Sequence, residues 1–315
     1  MRRRAVRLGG ALLLAGLLAA CAVQTRALRE STPPDLAAAV ELTETPFFAQ
    51  TAYQCGPAAL ATALGAAGLP ASPEALVAEV FLPARTGSLQ IEMIAGARRH
   101  GAVATRLPRR LEALLREVRA GHPVVVLQNL GLAWYPAWHY AVLVGYDVAA
   151  GEVILRSGAT RRASLPMRTF EHTWTRAGAW AFVALPPGKL PREADEAALV
   201  EASVGFERAA APMQATTAYR AALQRWPDNL TLAMGLGNSL HAAGELRAAA
   251  ATFQAAAQRH GSAPAFINLA QSLLDLGDAD AALHAARAAA ALGDTAFREQ
   301  AQAVLARAQA VSAPR

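Results

Sequence analysis

The feature that most restricts the fold is a change of period along the chain. From about residue 191 onward, strand-forming runs all but vanish and the sequence repeats itself. Leu236, Leu240 and Gly244 recur as Leu269, Leu273 and Gly277, a shift of 33, and LGNSLHAAGELRAAAATF aligns with LAQSLLDLGDADAALHAA. A repeat of this length is one helix–turn–helix unit, too small to bury its own apolar face, so copies must stack. An earlier, degenerate copy carries Ala215, Tyr219, Ala222 and Pro227, giving about three units, with a last helix over 296–310 to cap them. Apolar residues make up 54% of the chain and aromatics only 6%, as close-packed helices rich in alanine require.

Gly237, Ala249, Phe253 and Ala256 fall where small or aromatic residues let helices cross, and in this the array resembles the tetratricopeptide repeat. The resemblance implies a concave surface that binds a protein partner or an extended peptide.

Upstream of the repeats the pattern is mixed. Residues 56–67 read as a buried helix ended by Gly68; Ser72 caps a second over 73–80; Ser88 starts a third, with Leu89, Met93 and Ala97 on one face and Gly101 closing it. A fourth, over 109–120, is amphipathic through Leu111, Leu114, Leu115 and Val118. After Gly121 the runs become strand-like, at 123–127, 139–146, 151–155 and 179–185. Helices followed by strands predict an α+β domain with a largely antiparallel sheet.

The N-terminus reads as an export signal. Arg2, Arg3 and Arg4 precede a short apolar run over 12–18 and a small-residue site ending at Cys21. The run is shorter than the roughly 20 residues of a bilayer span. Leu18-Ala19-Ala20-Cys21 resembles the bacterial lipobox, which implies a fatty acyl (palmitate-type) modification of Cys21 and a membrane attachment through lipid. Ala22 after the cysteine, by resemblance to Gram-negative lipoproteins, implies the outer membrane, facing the periplasm. Residues 21–42, polar and broken by Pro33-Pro34, read as a lipidated N-terminus and tether. The expected organisation is therefore a signal over 1–20, the tether over 21–42, the α+β domain over 43–188 and helical repeats with a capping helix over 189–315.

The net charge of +6 does not mark a nucleic-acid binder, because four of the arginines lie in the first twenty residues, which contain no acid. No basic run with interleaved aromatics occurs elsewhere. No zinc-spaced ligand cluster, phosphate-cradling loop or dinucleotide fingerprint is present, so neither a metal nor another cofactor is expected.

With Cys21 acylated, Cys55 has no partner in the chain, and a lone thiol in an oxidising compartment calls for a function. Cys55-Gly56-Pro57 opens a helix: proline suits the first turn, and glycine lets a substrate backbone approach. The free N–H groups at that end are expected to favour the thiolate and lower the cysteine pKa. His139 begins an apolar strand, from which an imidazole can reach a helix terminus. The other histidines lie at turns, in a predicted helix or in the repeats.

Together, Gln50…Cys55-Gly56-Pro57-Ala58-Ala59-Leu60 and, about 80 residues on, His139-Tyr140-Ala141-Val142-Leu143-Val144-Gly145-Tyr146-Asp147 resemble the bacteriocin-leader-processing (double-glycine) cysteine peptidases, which have a papain-like fold. With the export signal and the repeats, the chain is similar to proteobacterial lipoproteins classed as such peptidases. The resemblance implies Cys55 as nucleophile, His139 as general base, and Gln50 as oxyanion donor beside the Cys55 N–H. Gln50 stands five positions before the cysteine where the family pattern has six, and Gln54 is an alternative donor. Where the family places an acid to orient the histidine, this chain reads Ile154-Leu155-Arg156-Ser157-Gly158, leaving uncharged Ser157 for that role; Asp147 is expected to be structural. Two functions follow as expectations: an envelope-anchored cysteine peptidase acting on a peptide or protein, or a catalytically inactive adaptor of the same fold.

Overall fold

The structure, a computed structural model of the chain, describes residues 22–49 and 54–312. The expected signal segment, Cys21 and Gln50 lie outside the described residues. Two compact units result: one runs to Pro186 and takes in Pro191–Ala198, and the other comprises Pro187–Leu190 and Leu199–Arg315.

The first unit is built on a seven-stranded antiparallel sheet. Its strands are β1 (Ala39–Glu41), β2 (Val103–Arg106), β3 (Val124–Asn129), β4 (Trp138–Asp147), β5 (Glu152–Ser157), β6 (Thr160–Pro166) and β7 (Ala181–Leu185). They are ordered β2-β7-β3-β4-β5-β6, with β1 paired to the far end of β4. β3 is buried at every position, which explains its unbroken Val-Val-Val-Leu run, whereas edge strand β6 alternates with exposed residues.

Helices cover both faces. On one, α2 (Cys55–Ala66), α3 (Pro73–Val80) and α4 (Gln90–Arg99) enclose a core with Val125, Val142, Val144 and Phe182. On the other, α5 (Leu111–Arg119) and α6 (Met167–Arg176) close over Val126, Ala141, Leu143 and Val183. α2 is buried continuously from Gly56 to Leu64, as its apolar composition demands. Ser72 caps α3, accepting the Ala75 N–H at 3.2 Å. Ser88, expected to start the third helix, lies two residues before it and serves the candidate site instead.

The reading of 21–42 as a tether is corrected. Residues 22–41 belong to the fold, forming α1 (Val23–Glu30) and β1. An eight-residue polar helix cannot hold itself in water, and its N-terminus is fixed from outside. The buried Glu171 carboxylate accepts the N–H groups of Gln24 (3.0 Å) and Thr25 (2.7 Å), while Gln24 Oε1 accepts the Leu111 N–H at 2.6 Å. Leu28 and Leu36 then bury against α5 and the sheet. β1 can approach β4 because Gly145 has no side chain: a Cβ there would lie 2.8 Å from the Val40 oxygen.

The second unit is the expected tetratricopeptide-like array: α7 (Glu196–Glu207), α8 (Pro212–Arg225), α9 (Leu230–Ala242), α10 (Leu246–His260), α11 (Ala263–Asp275), α12 (Ala279–Ala291) and α13 (Arg298–Ser312). The recurring Gly244 and Gly277 take left-handed φ of +80° and +79°, turning the chain between the two helices within each repeat. Gly237 faces Phe253 so closely that a Cβ would lie 2.4 Å from the ring, which is why small meets aromatic at that crossing. No described helix is long and apolar enough to cross a membrane.

Candidate active site

Cys55 is the first residue of α2, with Gln54 at the cap position and Pro57 in the first turn. It is a free, half-buried thiol at the margin of the apolar cluster that holds Met93 and Tyr140. Burial pushes its pKa above the ordinary thiol value, outweighing backbone hydrogen bonds from Tyr140, Gly56 and Cys55 itself. The expected lowering is therefore overturned. Helix-end N–H groups do favour the thiolate, but removing the charge from water costs more, and no cation offsets that loss.

Tyr140 ties the sulfur to its surroundings. Its backbone hydrogen-bonds Cys55, and its hydroxyl donates to the Ser88 carbonyl at 3.2 Å. Its ring meets Trp180 edge-on at 5.8 Å. Ser88 in turn lies against the start of α2: a Cβ on Gly56 would come within 2.3 Å of Ser88 Oγ and 2.7 Å of Ser88 Cβ. The glycine after Cys55 is thus explained by Ser88 rather than by an approaching substrate. Ser88 Oγ is itself buried and, among the described residues, has no hydrogen-bond partner. Sequence reasoning missed this role; Gly56 beside the cysteine was the available signal, since a glycine inside a helix marks something packed close to it.

His139, the residue before Tyr140, is the second of β4 and stands opposite Gln128 of β3. Gln128 is buried and donates to Thr173 Oγ1 of α6 at 2.7 Å. The imidazole Nε2 lies 2.8 Å from Ser157 Oγ. Ser157 ends β5 and pairs with Thr160 across a tight turn, with a register shift just before it. Burial pushes the imidazole below its ordinary pKa, with no carboxylate to oppose the effect. When Nε2–H donates to Ser157, Nδ1 is left as the proton acceptor. Among the described residues no hydrogen bond joins His139 to Cys55. The fold brings the sulfur to the backbone of one residue and carries the imidazole on its neighbour, and burial disfavours the charged form of both groups.

Neighbouring Arg156 is buried and donates to the carbonyls of Leu42, Thr43, Thr45 and Arg161, pinning the segment that leads towards Cys55. Asp147 accepts the Ala150 N–H at 2.8 Å in the turn at the far end of β4, the structural role expected of it. His100, His122 and His241 pair with Glu79, Glu117 and Asp275. Among the described residues no cluster of three or more histidines, cysteines or acids could hold a metal.

Residues 42–182 match the sequence model of the Peptidase_C39 like family. No curated protein matches the chain. Among solved structures, a C39-like peptidase from Bacillus anthracis shares 20% identity, covering 48% of this chain and 99% of its own, at a TM-score of 0.41. A double-glycine-motif protease from an AMS/PCAT transporter, solved with its leader peptide, shares 20% identity over 46% of this chain and 93% of its own, at a TM-score of 0.35. The type III secretion chaperone SycD from Yersinia enterocolitica, in complex with a peptide of the translocator YopD, shares 18% identity over 36% of this chain and 88% of its own, at a TM-score of 0.34. The segment holding Cys55, His139 and Ser157 is thus a papain-like α+β domain similar to the C39-like peptidases, followed by a helical-repeat array.

Proposed function

We propose that the chain is an envelope-anchored cysteine peptidase, held to the outer membrane by lipid on Cys21, whose repeats recruit its peptide or protein substrate or a partner. The observation that carries the enzymatic part is the convergence at the start of β4. The Cys55 sulfur sits on the Tyr140 backbone, and the adjacent His139 is oriented through Nε2 by Ser157.

In this reading His139 Nδ1 takes the thiol proton as the Cys55 sulfur bonds to the substrate carbonyl carbon. The oxyanion is met by the Cys55 N–H and the Gln50 side chain. The C–N bond then breaks as the imidazolium protonates the leaving amine. Water, deprotonated by His139, releases the acid from the thioester and restores the thiol. Because burial disfavours the charged form of both groups, proton transfer accompanies attack, and substrate must close the approach of imidazole to sulfur. On the repeats, a groove lined by Asn238, His241, Asn268 and Gln271 offers amide groups suited to a peptide backbone.

A second reading, an inactive adaptor of the same fold, is favoured by one observation: no carboxylate supports the imidazole. Alkylation by iodoacetamide across pH, with a peptide-library cleavage assay, separates the two. The peptidase reading expects cleavage that Cys55→Ala abolishes without unfolding the protein. It also expects alkylation that accelerates only above the ordinary thiol range, because the thiol pKa is raised. Absence of any cleavage that depends on both Cys55 and His139 would leave the adaptor.

A further inference from the structure

The loop joining β3 to β4, residues 130–137, is built to display apolar side chains. Leu130, Leu132, Trp134 and Tyr135 on the loop and Trp138 at its exit are exposed, Trp134 and Tyr135 to 81% and 79%. Hydrogen bonds close the loop on itself. Leu130 and Leu132 N–H donate to the carbonyls of Ala137 and Tyr135, and Asn129 Oδ1 accepts the N–H groups of Gly131 and Ala137. Gly131 permits the closure, since a Cβ there would lie 2.4 Å from the Tyr135 oxygen. Two aromatic rings held in water by a hydrogen-bonded loop bury nothing for the fold, and such a patch marks an interface.

Three observations select the occupant. First, the described chain enters the fold at the same end of the unit. Gln24 Oε1 accepts the Leu111 N–H at the start of α5, directly after Arg109 and Arg110, and Arg176 at the end of α6 donates to the Asn129 carbonyl at the foot of the loop. Second, that end is basic. The β2–β7–β3 register and the Leu107 N–H bond to Ala181 carry exposed Arg106 and Arg109 to it, while Arg110 beside them pairs with Glu193 at 3.4 Å. Third, the tip pairs tryptophan with tyrosine, whose apolar rings and polar edges suit the boundary of a bilayer.

We propose that this loop docks the first unit on an anionic lipid surface, with Trp134 and Tyr135 in the headgroup layer and the arginines facing the phosphates. A single acyl chain holds a protein only reversibly, and stable attachment takes a second signal. The loop supplies one whether or not Cys21 is acylated, and it brings the His139 end of β4 to the membrane surface. The proposal stands apart from the peptidase reading.

The test uses the chain from residue 22 onward, unacylated and retaining both described units, sedimented with vesicles of phosphatidylcholine alone or with about a quarter phosphatidylglycerol. Binding to the anionic vesicles with a blue shift of tryptophan emission is expected. Trp134→Ala with Tyr135→Ala should weaken that binding at least about tenfold, and Arg106→Gln or Arg109→Gln about fivefold each. Unchanged Cys55 alkylation in these variants would show that the fold is intact. Absence of binding, equal binding by the aromatic variant, or a dimer in solution that the aromatic variant abolishes would each overturn the proposal, the last in favour of a second copy of this chain.

Discussion

Replacing Ser157 by aspartate tests whether the imidazole partner sets the charge state of the site. In the native protein a neutral hydroxyl lies 2.8 Å from His139 Nε2, and burial alone drives the imidazole below its ordinary pKa. A neutral hydrogen bond contributes about 0.5–1.5 kcal/mol net, and one to a charged group about 1.5–3 kcal/mol. The exchange therefore stabilises imidazolium by about 1–1.5 kcal/mol, or roughly one pKa unit. The bare Coulomb figure of about 4 kcal/mol for charges 4 Å apart near a surface is an upper limit, because the site is half open to water. Titration of His139 by NMR in a Cys55→Ala background reads the shift directly. Wild type should titrate below the usual imidazole value, and Ser157→Asp about one unit above wild type. With the thiol present, iodoacetamide should then alkylate Ser157→Asp about tenfold faster than wild type at neutral pH, as imidazolium comes to favour thiolate. Ser157→Ala should change the rate less than tenfold, because it removes only a neutral bond. An imidazole titration unmoved by Ser157→Asp would refute Ser157 as the partner that tunes His139. A rate gain that survives His139→Ala would refute the coupling to the thiol.

Two structural substitutions test the supports of the site. Gly56→Ala drives a methyl into Ser88 and should cost about 1–3 kcal/mol by overpacking. It should be rescued by Ser88→Gly in a double-mutant cycle followed by calorimetry, and independent, additive losses would show that the two residues do not share the space. Glu171→Ala removes two charge-assisted hydrogen bonds from the first turn of α1. Hydrogen exchange over residues 23–31 should accelerate at least about a hundredfold, since a helix this short does not persist alone, and unchanged protection would mean that Leu28 and Leu36 suffice to hold it.

The sequence made visible whatever depends on local pattern. The 33-residue shift announced the helical array, because the turn glycines and the small-against-aromatic crossings recur with it. The cysteine at a helix mouth and the histidine at a strand start were legible as separate signals, and the place of Ser157 opposite the histidine followed from family resemblance. What escaped depended on partners far away in the chain. Residues 22–41 look like a polar linker until Glu171, 146 positions beyond Thr25, accepts the first N–H groups of the helix. β2 is too short to stand out, and β6 lies at the sheet edge with polar residues facing water.

The sign of the Cys55 shift shows why site chemistry is harder to read than site position. A helix N-terminus contributes the same few N–H groups wherever it lies, so its pull on a thiolate can be foreseen from Cys-Gly-Pro alone. The opposing cost depends on how much water reaches the sulfur, and that is set by Tyr140 and Met93 packing from other elements. Here the cost exceeds the pull, so burial works against a thiolate–imidazolium pair rather than for it. Such a site stays quiet towards small electrophiles until a bound substrate replaces the missing solvation. On the peptidase reading, this confines reaction to a carbonyl held against the sulfur, with activation by bound substrate rather than by a preformed thiolate.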